Sequence, residues 1–257
     1  MGGVGASADK SVLEAHDLTL SWDGGEHIVA EHIDLVVRKG ETVCLVGRSG
    51  CGKTTILHAL SGLTQPLAGE VLLHGEDVSG KPGRVSYMLQ KDLLLPHLRI
   101  IDNVCLPLTI AGTKRDAARE KARPLFARFG LEGCELKWPS ELSGGMRQRA
   151  AFLRTYLMGN DVVLLDEPFS ALDALTREDL RSWYVRTAAE LGIASLVITH
   201  DVDEAVSMAS RIYVLQGNPG AGEPSHVAAE VVVPREENFE LTHAYVDCKR
   251  EVLSLLT

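Results

Sequence analysis

Gly47 to Thr54 reads GRSGCGKT, a glycine followed five residues later by Gly-Lys-Thr. Glycines at this spacing let the backbone curl until successive N–H groups converge on an anion, and a following helix N-terminus adds its dipole. Lys53 then reaches the β- and γ-phosphates of a nucleotide, and the Thr54 hydroxyl suits magnesium. Arg48, Ser49, Gly50, Cys51, Gly52 and Thr55 complete the candidate lining, with Cys51 a small residue that carries no chemistry of its own. A second pattern, DVVLLDE from Asp161 to Glu167, ends an apolar run on two adjacent carboxylates. Asp166 is placed to hold magnesium together with Thr54, and Glu167 to orient or deprotonate the water that attacks the γ-phosphate.

These groups need a scaffold that brings loop ends together. Thr42 to Val46, Val162 to Leu165 and Leu196 to Ile198 are short continuous apolar runs, as expected of strands covered on both faces. Helical stretches separate them, so the core is predicted as a parallel α/β sheet with its ligand at the C-terminal edge. One helix, Thr55 to Leu60, follows the glycine-rich loop and stops at Gly62. Before the core, Leu18 to Ser21 reads as a short strand. The turn Asp23-Gly24-Gly25 and the alternation at Ile33, Leu35 and Val37 then predict a small antiparallel sheet. Ala118, Ala122, Leu125, Phe126 and Phe129 recur at helical spacing, which predicts a helical subdomain inserted in the core. Gly217 to Pro224 reads as a loop, Val231 to Val233 as a further strand, and the end as a helix without clear caps.

Composition narrows the function. The 257 residues are 45% apolar and 24% charged, enough for a substantial core, and residues 1–10 read as a flexible start without a signal-peptide core. A net charge of -9 argues against nucleic acid as the main partner, because phosphate backbones are held by clustered Lys and Arg. Five scattered cysteines without a C-x-x-C pair fit reduced cytosolic thiols. No apolar run is long enough to span a bilayer, so any work at a membrane requires another chain to supply the span.

Leu142 to Arg149, LSGGMRQR, lies between Lys53 and Asp166 and opens an apolar-rich helix. With these residues the sequence resembles the ABC ATPase family, whose signature is LSGG. The resemblance runs from about Leu13 to Val233 and implies a P-loop, RecA-like fold with the antiparallel subdomain at its start. Residues 11–234 then form the ATPase domain, with the helical subdomain at about 91–158 and a C-terminal tail at 235–257. Ser143, Gly144 and Gly145 make a second anion site at a helix N-terminus. One γ-phosphate needs only one such site per chain, and the family resolves this with a head-to-tail dimer, each signature closing over the other subunit's ATP.

The resemblance assigns further roles. Gln90 matches the glutamine that senses magnesium and γ-phosphate, and His200 the switch histidine. Ser170 to Asp173 match the loop across the dimer interface, and Trp22 the aromatic that stacks on adenine. Asp201 and Glu204 resemble an N-capping pair behind His200. Leu93, Leu94, Leu95 and Leu98 resemble the groove that receives a short helix of a membrane permease. The implied protein is an ATP- and Mg²⁺-dependent transport ATPase, peripheral on the inner face of the cell membrane and served indirectly by a solute-binding protein. DLLLP at Asp92 to Pro96 and PFSALDALTR at Pro168 to Arg177 resemble importers of nitrate, sulfonate, taurine and thiamine-precursor pyrimidines. GKPG at Gly80 to Gly83 leans toward the pyrimidine group, while FLRTY at Phe152 to Tyr156 departs from the ARA of sulfonate and nitrate members. The rival reading is a non-transport ABC ATPase acting on DNA or ribosomes. Such relatives carry two nucleotide domains or a very long insertion, and this chain has neither.

Overall fold

A computed structural model describes residues 10–235 and 239–256; of the expected flexible start at residues 1–10, all but Lys10 lies outside them. The chain opens with β1 (Ser11–Ser21) and β2 (Ile28–Arg38), paired antiparallel with Leu13 opposite Val37 and Leu18 opposite Ile33. The first strand is longer than Leu18 to Ser21 alone predicts. Its alternation is broken midway, where Asp17 and His32 take positive φ of 47° and 51° and the register shifts. A bulge of this kind moves the apolar side chains out of step while the pairing continues. Across the bulge the Asp17 N–H donates to Asp34 Oδ1 at 2.9 Å.

The buried strand β3 (Thr42–Gly47) leads through the glycine-rich loop into α1 (Lys53–Leu60). Next come β4 (Ala68–Leu73), which pairs antiparallel with β1, the two-residue β5 (Glu76–Asp77), and the short β6 (Ser86–Met88). Four helices separate β6 from the next core strand: α2 (Ile100–Val104), α3 (Leu106–Ile110), α4 (Arg115–Arg128) and α5 (Gly144–Tyr156). The helical spacing noted above falls on α4, where Ala118, Ala122 and Phe126 are buried. Asp102 of α2 is buried and takes bidentate bonds from Arg115 and Arg119 of α4, at 2.6 to 3.0 Å. The neighbouring guanidiniums, Arg115 first, hold its carboxyl down at about 2.

The core resumes with β7 (Val162–Asp166), α6 (Ala174–Leu191), β8 (Ala194–Thr199), α7 (Val202–Met208) and β9 (Arg211–Asn218). β3 lies between β8 and β9 and is parallel to both, with Cys44 opposite Val197 on one side and Ile212 on the other; β7 and β6 extend the parallel set. Gly217 to Pro224 is no open loop. β9 runs to Asn218, a single turn of 3-10 helix covers Pro219–Ala221, and β10 (Glu223–Val232) returns antiparallel. Glycine is required at 217 because its φ is 130° and a Cβ there would stand 2.5 Å from Ser225 Cα. β10 starts well before Val231 and meets β2 in parallel at Ser225 opposite Ala30. That bridge joins the antiparallel sheet to the core, giving ten strands in the order β5-β4-β1-β2-β10-β9-β3-β8-β7-β6.

Phe152 of the FLRTY stretch packs against Phe169, Trp183 and Tyr184, with ring centroids 5.0 to 6.1 Å apart, and so ties α5 to α6. The tail folds as α8 (His243–Leu255), and it does have a cap: Thr242 Oγ1 accepts the Tyr245 N–H at 3.4 Å. All five cysteines are buried and unpaired, and no helix among the described residues is long and apolar enough to cross a membrane.

Candidate active site

The loop between β3 and α1 wraps Lys53 tightly. Its ammonium donates to the Gly47 carbonyl at 2.8 Å and the Arg48 carbonyl at 2.9 Å, leaves only 6% of the residue exposed, and forms no ion pair among the described residues. Cys51 Sγ is a third, weaker acceptor at 4.0 Å; a buried cation with neutral partners alone is electrostatically unfinished, and an anion completes it. Gly52 takes φ +89°, and a Cβ there would fall 2.7 Å from Val29 Cγ1, so the antiparallel sheet packs directly under the loop. Ser49 and Gly50 are exposed, whereas Cys51 is buried, which pushes its thiol pKa up and leaves it a packing residue. Trp22 projects beside the loop, 58% exposed, with Nε1 donating to Thr55 Oγ1 at 3.4 Å.

Asp166 ends β7, and its Oδ2 accepts from Thr54 Oγ1 and from Tyr87 Oη, both at 3.3 Å. Burial pushes the carboxyl up, and these two long hydrogen bonds only partly offset that. A buried carboxylate beside a threonine hydroxyl is a hard-oxygen donor set, which fits Mg²⁺. Tyr87 belongs to this corner as well, brought there from β6. Its hydroxyl pKa rises through burial and the adjacent Asp166 charge.

Glu167 stands one residue beyond the strand at φ 41°, a left-handed conformation that costs a non-glycine residue about 1–3 kcal/mol. Its N–H donates to the Ile198 carbonyl at 3.0 Å, and its carbonyl accepts from Ser170 Oγ at 3.0 Å, which together hold that turn. The turn aims the side chain sideways. Oε1 lies 3.1 Å from His200 Nδ1, and Oε2 accepts from Gln90 Nε2 at 3.3 Å. Gln90, Glu167 and His200, assigned from three separate segments, therefore meet. The amide nitrogen of Gln90 also donates to Ser170 Oγ at 3.2 Å, which turns its N–H groups to the Glu167 corner.

Behind His200 the expected capping pair is only half present. Asp201 caps α7, accepting from the Asp203 and Glu204 N–H groups at 2.9 and 3.2 Å. Glu204 instead accepts from Thr199 Oγ1 at 2.7 Å, and that hydroxyl accepts the Asp201 N–H at 3.0 Å. Glu204 is 4% exposed, so burial raises its pKa, while Thr199 supplies the donor that keeps the carboxylate tolerable. Arg177 approaches both Asp201 and Glu204, at 3.6 and 3.7 Å, and donates to the Leu172 carbonyl at 3.0 Å. Neither Thr199 nor Arg177 stood out in the sequence: Arg177 acts on groups distant along the chain, and a threonine at a strand end carries no pattern of its own.

Ser143 caps α5, its Oγ accepting the Met146 N–H at 3.3 Å. No hydrogen bond joins residues 143–145 to residues 47–54 of the same chain among the described residues. The signature packs instead on the start of α6, where a Cβ at Gly145 would meet Thr176 Cγ2 at 2.9 Å and one at Gly144 would meet Leu172 at 3.1 Å. Asp173 caps α6 through Thr176, whose hydroxyl and N–H bonds hold its carboxyl below the ordinary carboxylate value. The segment after Gln90 is pinned to α5: Arg147 pairs with Asp92 at 3.2 Å, and Arg154 donates to the Leu93 carbonyl at 2.9 Å. Within it Leu93 is 51% exposed while Leu94 is buried.

A phosphate loop after β3, an acid pair at the end of β7 and a glycine-rich helix cap are together the parts of an ATPase. The profile of the ABC transporter family matches residues 30–170, and the chain belongs to that family, as an ATP-binding subunit whose hydrolysis is coupled to transport. It is 43% identical over 189 residues to the uncharacterized ABC transporter ATP-binding protein YtlC of Bacillus subtilis, covering 74% of this chain and 72% of that one. The formylaminopyrimidine import ATP-binding protein ThiZ of Halalkalibacterium halodurans is 36% identical over 225 residues, 88% of this chain and 86% of its own. Among solved structures, the dimeric post-hydrolysis state of the cassette MJ0796 bound to ADP and Pi superimposes with a TM-score of 0.71 at 26% identity over 87% of this chain and 100% of that one.

Proposed function

We propose that two copies of this chain pair head to tail and power an importer of a small solute, with a thiamine-precursor pyrimidine the favoured cargo. The observation that carries the site assignment is the buried Lys53 ammonium, held by two carbonyls and no carboxylate. Residues 11–234 act as one ATPase domain, residues 91–158 as its helical arm and 235–257 as a tail. The cargo rests on the GKPG stretch at Gly80 to Gly83 and on the likeness to ThiZ.

Lys53 and the loop N–H groups from Gly47 to Thr55 bind the β- and γ-phosphates, and Trp22 stacks on the base. Thr54 and Asp166 would hold Mg²⁺, which supplies charge neutralisation at the phosphates when bound. Glu167 takes the proton of the attacking water, and its contacts with His200 and Gln90 fix the carboxylate in line. Ser143, Gly144 and Gly145 of the second copy close the site, with Asp173 at the seam. Loss of the γ-phosphate releases that closure. The leucines after Gln90 receive a permease helix at the inner face of the membrane, and the clamp of Arg147 and Arg154 passes its movement to α5. A solute-binding protein delivers cargo to the permease.

Glu167→Gln tests this. ATP binding persists, hydrolysis falls about a hundredfold or more, the contribution of a general base, and an ATP-bound dimer accumulates in size-exclusion chromatography. Wild-type turnover in that variant refutes the assignment.

A further inference from the structure

The tail helix touches both limbs of the ATP site. The last carbonyls of any helix lack partners within it, and cations favour that negative end. At the end of α8 one such partner comes from the site, Arg48 Nε donating to the Leu256 carbonyl at 3.1 Å, and a second from β9, Gln216 Nε2 donating to that of Leu255. Arg48 belongs to the phosphate loop, and its own carbonyl is one of the two that hold Lys53. Nearer the other end, Tyr245 and Lys249 share one face of α8. Tyr245 Oη donates to Asp203 Oδ1 at 3.1 Å, and Lys249 Nζ lies 2.6 and 2.8 Å from the two oxygens of that carboxylate. Asp203 sits in the first turn of α7, whose cap, Asp201, directly follows His200. Between these ends Cys248 and Val252 are buried in the core, so α8 is fixed along its length.

We infer that α8 is a brace that sets the Lys53 limb against the His200 limb, with Asp203 and Arg48 as positioning residues for hydrolysis. The inference rests on the ATPase reading above. A rigid strut between the two groups keeps the loop that binds the nucleotide in register with the corner that acts on its terminal phosphate. The two attachments act on different steps. The Arg48 end supports nucleotide binding, and the Asp203 end supports the hydrolytic geometry around His200.

Steady-state ATPase measurements on the full chain separate the two ends. Tyr245→Phe with Lys249→Met lowers kcat about twofold to fivefold, the range set by a partly exposed ion pair, with KM for ATP little changed. Lys249→Arg keeps the charge and retains kcat. Arg48→Met raises KM instead, by a similar factor. If the double variant misfolds, Lys249→Met alone carries the same comparison. An unchanged kcat with only a lower melting temperature overturns the brace, and so does an equal kcat loss in Lys249→Arg. A wild-type chain that hydrolyses no ATP overturns the ATPase reading and the brace with it.

Discussion

Thr199→Val removes one hydroxyl and keeps the shape of the side chain. That hydroxyl makes two bonds in the wild type, donating to Glu204 at 2.7 Å and accepting the Asp201 N–H at 3.0 Å. A hydrogen bond to a charged group contributes about 1.5–3 kcal/mol, so the variant loses roughly 2–3 kcal/mol. In a protein of this size that lowers the melting temperature by about 5–10 °C. The loss is also pH-dependent. Burial holds the folded pKa of Glu204 above its unfolded value near 4.3. The folded state therefore binds the proton more tightly, and that stability is present at low pH and fades as pH rises through the folded value. Deleting the Thr199 donor raises the folded value further, so the gap between variant and wild type is smaller at pH 5 than at pH 8. Urea unfolding followed by tryptophan fluorescence at both pH values measures it. A gap that is equal at the two, or below about 0.5 kcal/mol at pH 8, refutes the relay through Thr199.

Trp22→Ala is expected to weaken ATP binding about tenfold, since base stacking on an aromatic is worth about 1–3 kcal/mol; Trp22→Phe retains most of it. Equal affinity in Trp22→Ala, measured by calorimetry, removes this residue from the base platform. Asp102→Asn leaves two arginines of α4 without their buried anion and costs about 3 kcal/mol at neutral pH. Because the Asp102 carboxyl titrates at about 2 when folded, below the unfolded value near 3.9, its contribution is present above that value and lost as pH falls toward 2. Unfolding curves of variant and wild type converge there; a gap that persists at pH 2 contradicts the assignment.

Within the parallel core β3, β7 and β8 were legible because each is a continuous apolar run, and strands covered on both faces leave no alternation to misread, whereas β9 was not read as a strand. β1 was legible only in part, since the bulge at Asp17 shifts its pattern midway. β10 was harder still. Its half-exposed face carries polar and small residues, so only Val231 to Val233 read as strand, and the glycines before it suggested a loop where Gly217 permits a close strand crossing. At the site, Lys53, Thr54, Asp166 and Glu167 sit in local patterns that one segment of sequence reveals. Tyr87 and Arg177 act across folded distances, and no spacing along the chain encodes them. Glu204 shows the same limit from the other side, because its position at the third residue of α7 suggested a cap while burial drew its carboxylate to Thr199.

The outermost strands, β5 with two residues and β6 with three, leave little unpaired backbone at either margin. Margins that short offer a neighbouring molecule almost no template for extending the sheet. In the dimer proposed above, copies would then meet through loops and helix tips, surfaces able to part and rejoin with each turnover, instead of fusing ribbon to ribbon in a contact that would not let go.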